Sequence, residues 1–180
     1  AMGVGDPERL GVMGWSYGGY MTSWTITQTG RFKAASVGAG VTNLVSFTGT
    51  ADIPGFLPDY LGAQPWDNIT LYRERSATLH ARGVTTPTLI QHGEADVRVP
   101  ISQGYELYNA LKQEGVPTQM LVLPRQPHGP NEPKMMLKIM QTNLEWFDKH
   151  LAAPSQVAAA GSNEPAATPT GGKTSADMGN

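Results

Sequence analysis

The sequence predicts an α/β fold in which a parallel sheet carries helices on both faces. Two observations lead there. Short, almost wholly apolar stretches alternate with amphipathic ones along residues 1–152, and strands that are apolar throughout belong to sheets covered on both sides. A glycine-rich turn around a serine, Gly14-Trp15-Ser16-Tyr17-Gly18-Gly19, joins the first such stretch to the first helical one.

Residues 9–14 read as a short buried strand, and 17–29 as a helix that Gly30 is placed to close. A second strand is expected at 33–38, and a third at 88–92, entered through Pro87. Residues 102–114 predict a helix with Ser102 as its cap, an apolar stripe of Tyr105, Leu107, Tyr108 and Leu111, and Gly115 as its stop. The fourth strand, 119–123, halts at Pro124. The last helix, 134–151, is apolar at Met136, Leu137, Met140, Leu144, Trp146 and Phe147.

Residues 42–82 break this rhythm. Aromatic residues lie there among prolines and glycines, which predicts a long excursion with little regular structure, the kind of segment that shapes a site. From 153 to 180 the chain is Ala, Pro, Ser, Thr and Gly with almost no large apolar residue, and it is expected to be a disordered tail.

Composition narrows the function. A formal net charge of −2 gives no basic face for nucleic acid or an anionic membrane. With no cysteine, disulfides, thiolate nucleophiles and zinc–thiolate sites are excluded. No apolar run approaches the roughly 18 residues of a membrane helix. No motif calls for a metal or organic cofactor.

A serine on a tight strand-to-helix turn has its Oγ lifted clear of the sheet, and the glycines around it leave room for strand and helix to approach. This is the nucleophile elbow of an α/β-hydrolase, with Ser16 as nucleophile and the Tyr17 N–H aimed at the oxyanion. In that fold an acid and then a histidine follow in sequence. Past the third strand comes His92-Gly93-Glu94-Ala95-Asp96, and past the fourth Pro127-His128-Gly129, both where parallel sheets place their sites. Asp96 is the expected acid, with Glu94 as its competitor, and His128 is the expected base. His92 is expected to be structural, and His80 and His150 to be solvated. Phe47, Phe56 and Trp66 are either core or pocket wall.

With these stretches assembled, residues 6–151 resemble the C-terminal part of the prolyl oligopeptidase family of serine peptidases, the acylaminoacyl-peptidase-like and dipeptidyl-peptidase-like members in particular. The resemblance implies a Ser16–Asp96–His128 triad that cleaves peptide or ester bonds. It also implies that Arg98 holds a carbonyl of the bound peptide, and that the Phe47–Phe56–Trp66 region lines the pocket for the residue before the scissile bond. A complete α/β-hydrolase builds four strands before its nucleophile strand, on the order of 60–100 residues. Only 15 residues precede Ser16, so the expectation is the second half of the fold alone, a fragment or a truncated reading frame. The family's propeller and the loop bearing its second oxyanion donor, a tyrosine hydroxyl, are absent from the sequence. The alternative to a hydrolase is thus a catalytically silent half-domain that assembles with a partner segment or with itself. A first strand without an upstream neighbour would have a bare apolar edge, and a homo-oligomer is expected.

Overall fold

The computed structural model describes residues 5–152. The expected tail at 153–180 lies outside them. Four parallel strands, β1 (Gly11–Trp15), β2 (Ala34–Gly38), β3 (Thr88–Gly93) and β4 (Thr118–Leu123), lie side by side in chain order. β2 and β3 are buried at every residue, as two-sided coverage requires.

The register sorts alternate side chains between two layers. Val12, Ala35, Val37, Ile90 and Met120 face α1 (Tyr17–Gln28) and α5 (Ser102–Gln113), where Ile26, Leu107 and Leu111 complete the main core. Ala34 and Leu89 face the opposite way, onto Trp146, Phe147 and Leu151 of α6 (Pro133–Leu151). Between those apolar contacts, Asn143 of α6 accepts from Ser36 at 2.6 Å and from the Gln91 amide at 2.9 Å. This polar tie fixes α6 over β2 and β3.

The excursion holds more helix than the sequence suggested. α2 (Leu44–Thr50), α3 (Phe56–Leu61), α4 (Ile69–Glu74) and a 3₁₀ turn (Ala77–His80) fill it. Asparagine caps explain two of them: Asn43 accepts from the Val45 N–H, and Asn68 from that of Leu71. α5 anchors the segment, since the side-chain amide oxygen of the buried Gln103 accepts from the N–H groups of Thr42 and Asn43 at 3.0 and 2.9 Å. Beneath it Phe47, Leu57, Tyr72 and Val99 form a second core.

Two helix ends also differ from expectation. α1 stops at Gln28 because Thr29 turns extended and its hydroxyl accepts from the Arg31 N–H, so Gly30 is not the closing residue. Ile101 precedes α5 as its cap, and Ser102 is already helical. Gly115, at φ 77°, does end α5 in the left-handed conformation that glycine tolerates.

Candidate active site

Ser16 stands at the turn between β1 and α1 with φ 60° and ψ −118°, a strained backbone held from several sides. Its N–H donates to the Gly38 carbonyl of β2 at 2.9 Å, and its own carbonyl accepts from the Tyr20 N–H at 3.0 Å. A Cβ at Gly14 would run into the backbone of Gly18, and one at Gly19 into Gly38 and Gly40. Strand and helix therefore approach closely, while Gly18 itself faces open space. The Tyr17 N–H lies in the first turn of α1, where no intrahelical acceptor exists.

Asp96 and His128 converge on Ser16 from the ends of β3 and β4. The Ser16 hydroxyl lies 2.8 Å from His128 Nε2, and His128 Nδ1 lies 2.8 Å from Asp96 Oδ2. An ionised carboxylate only accepts, so Nδ1 carries the hydrogen and Nε2 is left to accept from Ser16. The Asp96 side chain is fully buried, and its other oxygen accepts from the N–H groups of Arg98 and Val99 at 3.0 and 2.9 Å. Four further hydrogen bonds hold the His128 loop. The Trp15 indole donates to the His128 carbonyl at 2.8 Å, and the buried Gln126 amide spans the loop by donating to Glu132 and accepting from the N–H groups of Asn131 and Glu132. Glu94, the competing acid, accepts from the Arg125 N–H at 3.0 Å and braces the same loop instead.

His92 is buried behind the acid. Its Nε2 meets the Val99 carbonyl at 2.7 Å and lies 3.6 Å from Asp96 Oδ2. Burial, the dominant cause, holds its pKa below the ordinary 6.5, against the opposing pull of Val99 and Asp96. The folded chain thus keeps His92 neutral, while the unfolded chain takes up a proton below about pH 6.5. Stability is expected to fall with acidification from that point, by at most about 1.4 kcal/mol per pH unit from this group. Urea midpoints measured across that range should fall less steeply in His92→Gln; equal slopes would contradict the assignment. His80 and His150, expected in solvent, are half-buried because they pack against Trp24 and Trp146, with ring centroids 5.3 and 4.3 Å apart.

The other expected site residues separate. Arg98 is drawn to Asp52, with Nε 2.6 Å from its carboxylate. That bond is the main reason why the Asp52 carboxyl lies below its usual range. Phe56 lines an apolar cavity of about 170 Å³ together with Tyr17, Tyr20, Leu57, Tyr60 and Arg75. Tyr17, which follows the serine directly, forms part of its wall. Phe47, only 1% exposed, is core behind the wall rather than part of it. Trp66 is 77% exposed and borders another, larger hollow with Pro54, Pro65 and Ile69, because α3 ends at left-handed Gly62 and the chain turns away. Sequence reasoning did not single out Tyr20, Tyr60 or Arg75 for the site. The two tyrosines carried an aromatic signal near the elbow, and Arg75 carried none.

The prolyl oligopeptidase family matches residues 1–154. An uncharacterized peptidase of Bacillus subtilis, YuxL, is 41% identical over 81% of this chain and 23% of its own length. The acylamino-acid-releasing enzyme of Arabidopsis thaliana is 34% identical, over 83% and 21%. The solved acylaminoacyl peptidase of Pyrococcus horikoshii superposes with a TM-score of 0.78 at 29% identity, over 83% of this chain and 25% of that one. A Mycobacterium tuberculosis puromycin-hydrolyzing peptidase superposes with a TM-score of 0.78 at 30% identity, over 83% and 23%. The chain thus spans less than a third of the length of each of these relatives.

Proposed function

The chain belongs to the prolyl oligopeptidase family, and from that premise we propose that it hydrolyses peptide or ester bonds through an acyl-enzyme formed on Ser16. One observation carries this reading: the unbroken relay from Ser16 through His128 to Asp96, with 2.8 Å at each step. Ser16 Oγ attacks the substrate carbonyl while its proton passes to His128 Nε2, and Asp96 steadies the imidazolium. The oxyanion takes the Tyr17 N–H. Collapse breaks the bond to the leaving group, which departs with the proton from His128. Water, deprotonated by the same nitrogen, then releases the acid and restores Ser16. The acyl-side residue of the substrate occupies the cavity beside Tyr17. For this chain a small activated ester is the favoured substrate, because an alkoxide leaves more easily than an amine. A burst of p-nitrophenolate, one per chain, is expected from p-nitrophenyl acetate. Release at the rate of buffer alone would overturn the reading.

Arg98 is proposed to hold a carbonyl of longer substrates through the N–H groups that Asp52 leaves free, the ion pair fixing the direction of its fork. Arg98→Ala is expected to slow an acyl-dipeptide anilide several-fold more than a p-nitrophenyl ester. Equal losses would make the residue structural.

We also propose that two copies associate through one face. Among the described residues β1 pairs only with β2, its Met13 is 58% exposed, and Met136, Leu137, Met140 and Leu144 form an outward apolar stripe on α6. Val12 points into the core, so α6 is the place to test. Met140→Lys with Leu144→Lys should weaken self-association at least about tenfold in sedimentation, since each lysine would bury a charge. A monodisperse wild-type monomer at micromolar concentration would refute this.

A further inference from the structure

The cavity beside Tyr17 has one lining residue out of keeping with the rest. Of the nine residues around it, eight are aliphatic or aromatic and one, Arg75, is charged. Arg75 is exposed at the end of α4, and among the described residues no carboxylate lies within ion-pair distance of it. Tyr20 lines the same cavity. Burial raises its pKa, and the Arg75 charge pulls the other way, so the two groups sense each other. The third and fourth polar groups are already engaged with one another: the Tyr17 and Tyr60 hydroxyls lie 3.3 Å apart, and that bond pushes the Tyr17 phenol up to about 12. Phe56 and Leu57 supply apolar wall. A guanidinium offers donors only, and a phenol adds one more. An apolar side chain filling this space would offer them no acceptor. A short apolar stem ending in a carboxylate would satisfy walls and donors together.

We propose that Arg75, with the Tyr20 hydroxyl, makes this cavity select an acyl-side residue whose side chain ends in a carboxylate. The proposal rests on the reading of Ser16 as the nucleophile and of this cavity as the acyl-side pocket. It is tested with diphenyl phosphonate analogues of N-acetyl-Glu, N-acetyl-Gln and N-acetyl-Met, which share a chain length and differ at the tip. Each reacts once: Ser16 Oγ forms a bond to phosphorus, phenol leaves with the serine proton relayed by His128, and mass spectrometry counts the adduct. In the wild-type chain the Glu analogue is expected to react at least about tenfold faster than the Met analogue, with Gln between them. Arg75→Met should remove that preference. Arg75→Glu should reverse it and favour an N-acetyl-Lys analogue. Arg75 is exposed, so neither substitution threatens the core. A Glu-to-Met ratio near one in the wild type, or one unchanged within about twofold in Arg75→Met, would overturn the proposal. A simple fluorophosphonate without a side chain separates the two claims. If it labels the wild type and the analogues show no Glu preference, the selectivity falls and the hydrolase reading stands. If nothing labels, both fall.

Discussion

Replacing Ser16 by alanine is expected to lower ester turnover roughly 10⁴-fold or more, His128→Ala by a similar factor, and the pair together by little more. The non-additivity is the informative part. Without Oγ there is no nucleophile for the imidazole to activate, and without the imidazole a serine hydroxyl at its ordinary acidity attacks very slowly. The 2.8 Å bond between them joins the two into a single unit. Ser16 N–H and carbonyl bonds are made by the backbone, so the elbow should survive the loss of Oγ and the variant should fold. Retention of more than about a tenth of wild-type turnover by Ser16→Ala, or additive losses in the double variant, would contradict the assignment.

Asp96→Asn is the second change of large effect, expected at about 10⁴ in turnover with the fold retained. The asparagine oxygen would keep the Arg98 and Val99 amides that now bond Oδ1. Its NH₂ would take the place of Oδ2, 2.8 Å from His128 Nδ1. An amide nitrogen donates only, so Nδ1 would have to accept and the imidazole hydrogen would move to Nε2. That nitrogen would then face the serine as a donor, unable to take its proton. Glu94→Gln should lose no more than about threefold, because Glu94 meets only the Arg125 N–H and not the imidazole. The opposite ranking of the two variants would make Glu94 the acid.

What the sequence made legible follows from how local its causes are. β2 and β3 were readable because burial on both faces leaves a short, largely apolar run, and the elbow because glycines at 14 and 19 answer a close approach between neighbouring elements. The three residues of the relay were readable because each follows a strand end. The excursion was not. Its short helices depend on Asn43 and Asn68 caps and on a graft to Gln103, sixty residues away, which no local periodicity reports. Phe47 and Trp66 shared one aromatic signal, yet the fold sends one into the core and the other to a different hollow. Arg75 gave no signal. Only the folded chain sets it on the same cavity as Tyr20, with no carboxylate within ion-pair distance among the described residues.

The central claim is that Ser16 is a nucleophile activated by His128, and covalent labelling tests it most directly. The purified chain would be treated with a fluorophosphonate, digested, and its modified residue located by tandem mass spectrometry. The expected result is one adduct per chain on the peptide holding Gly14-Trp15-Ser16-Tyr17-Gly18, at Ser16, and none in His128→Ala over the same time. No adduct, an adduct on another serine, or equal labelling in His128→Ala would contradict the account.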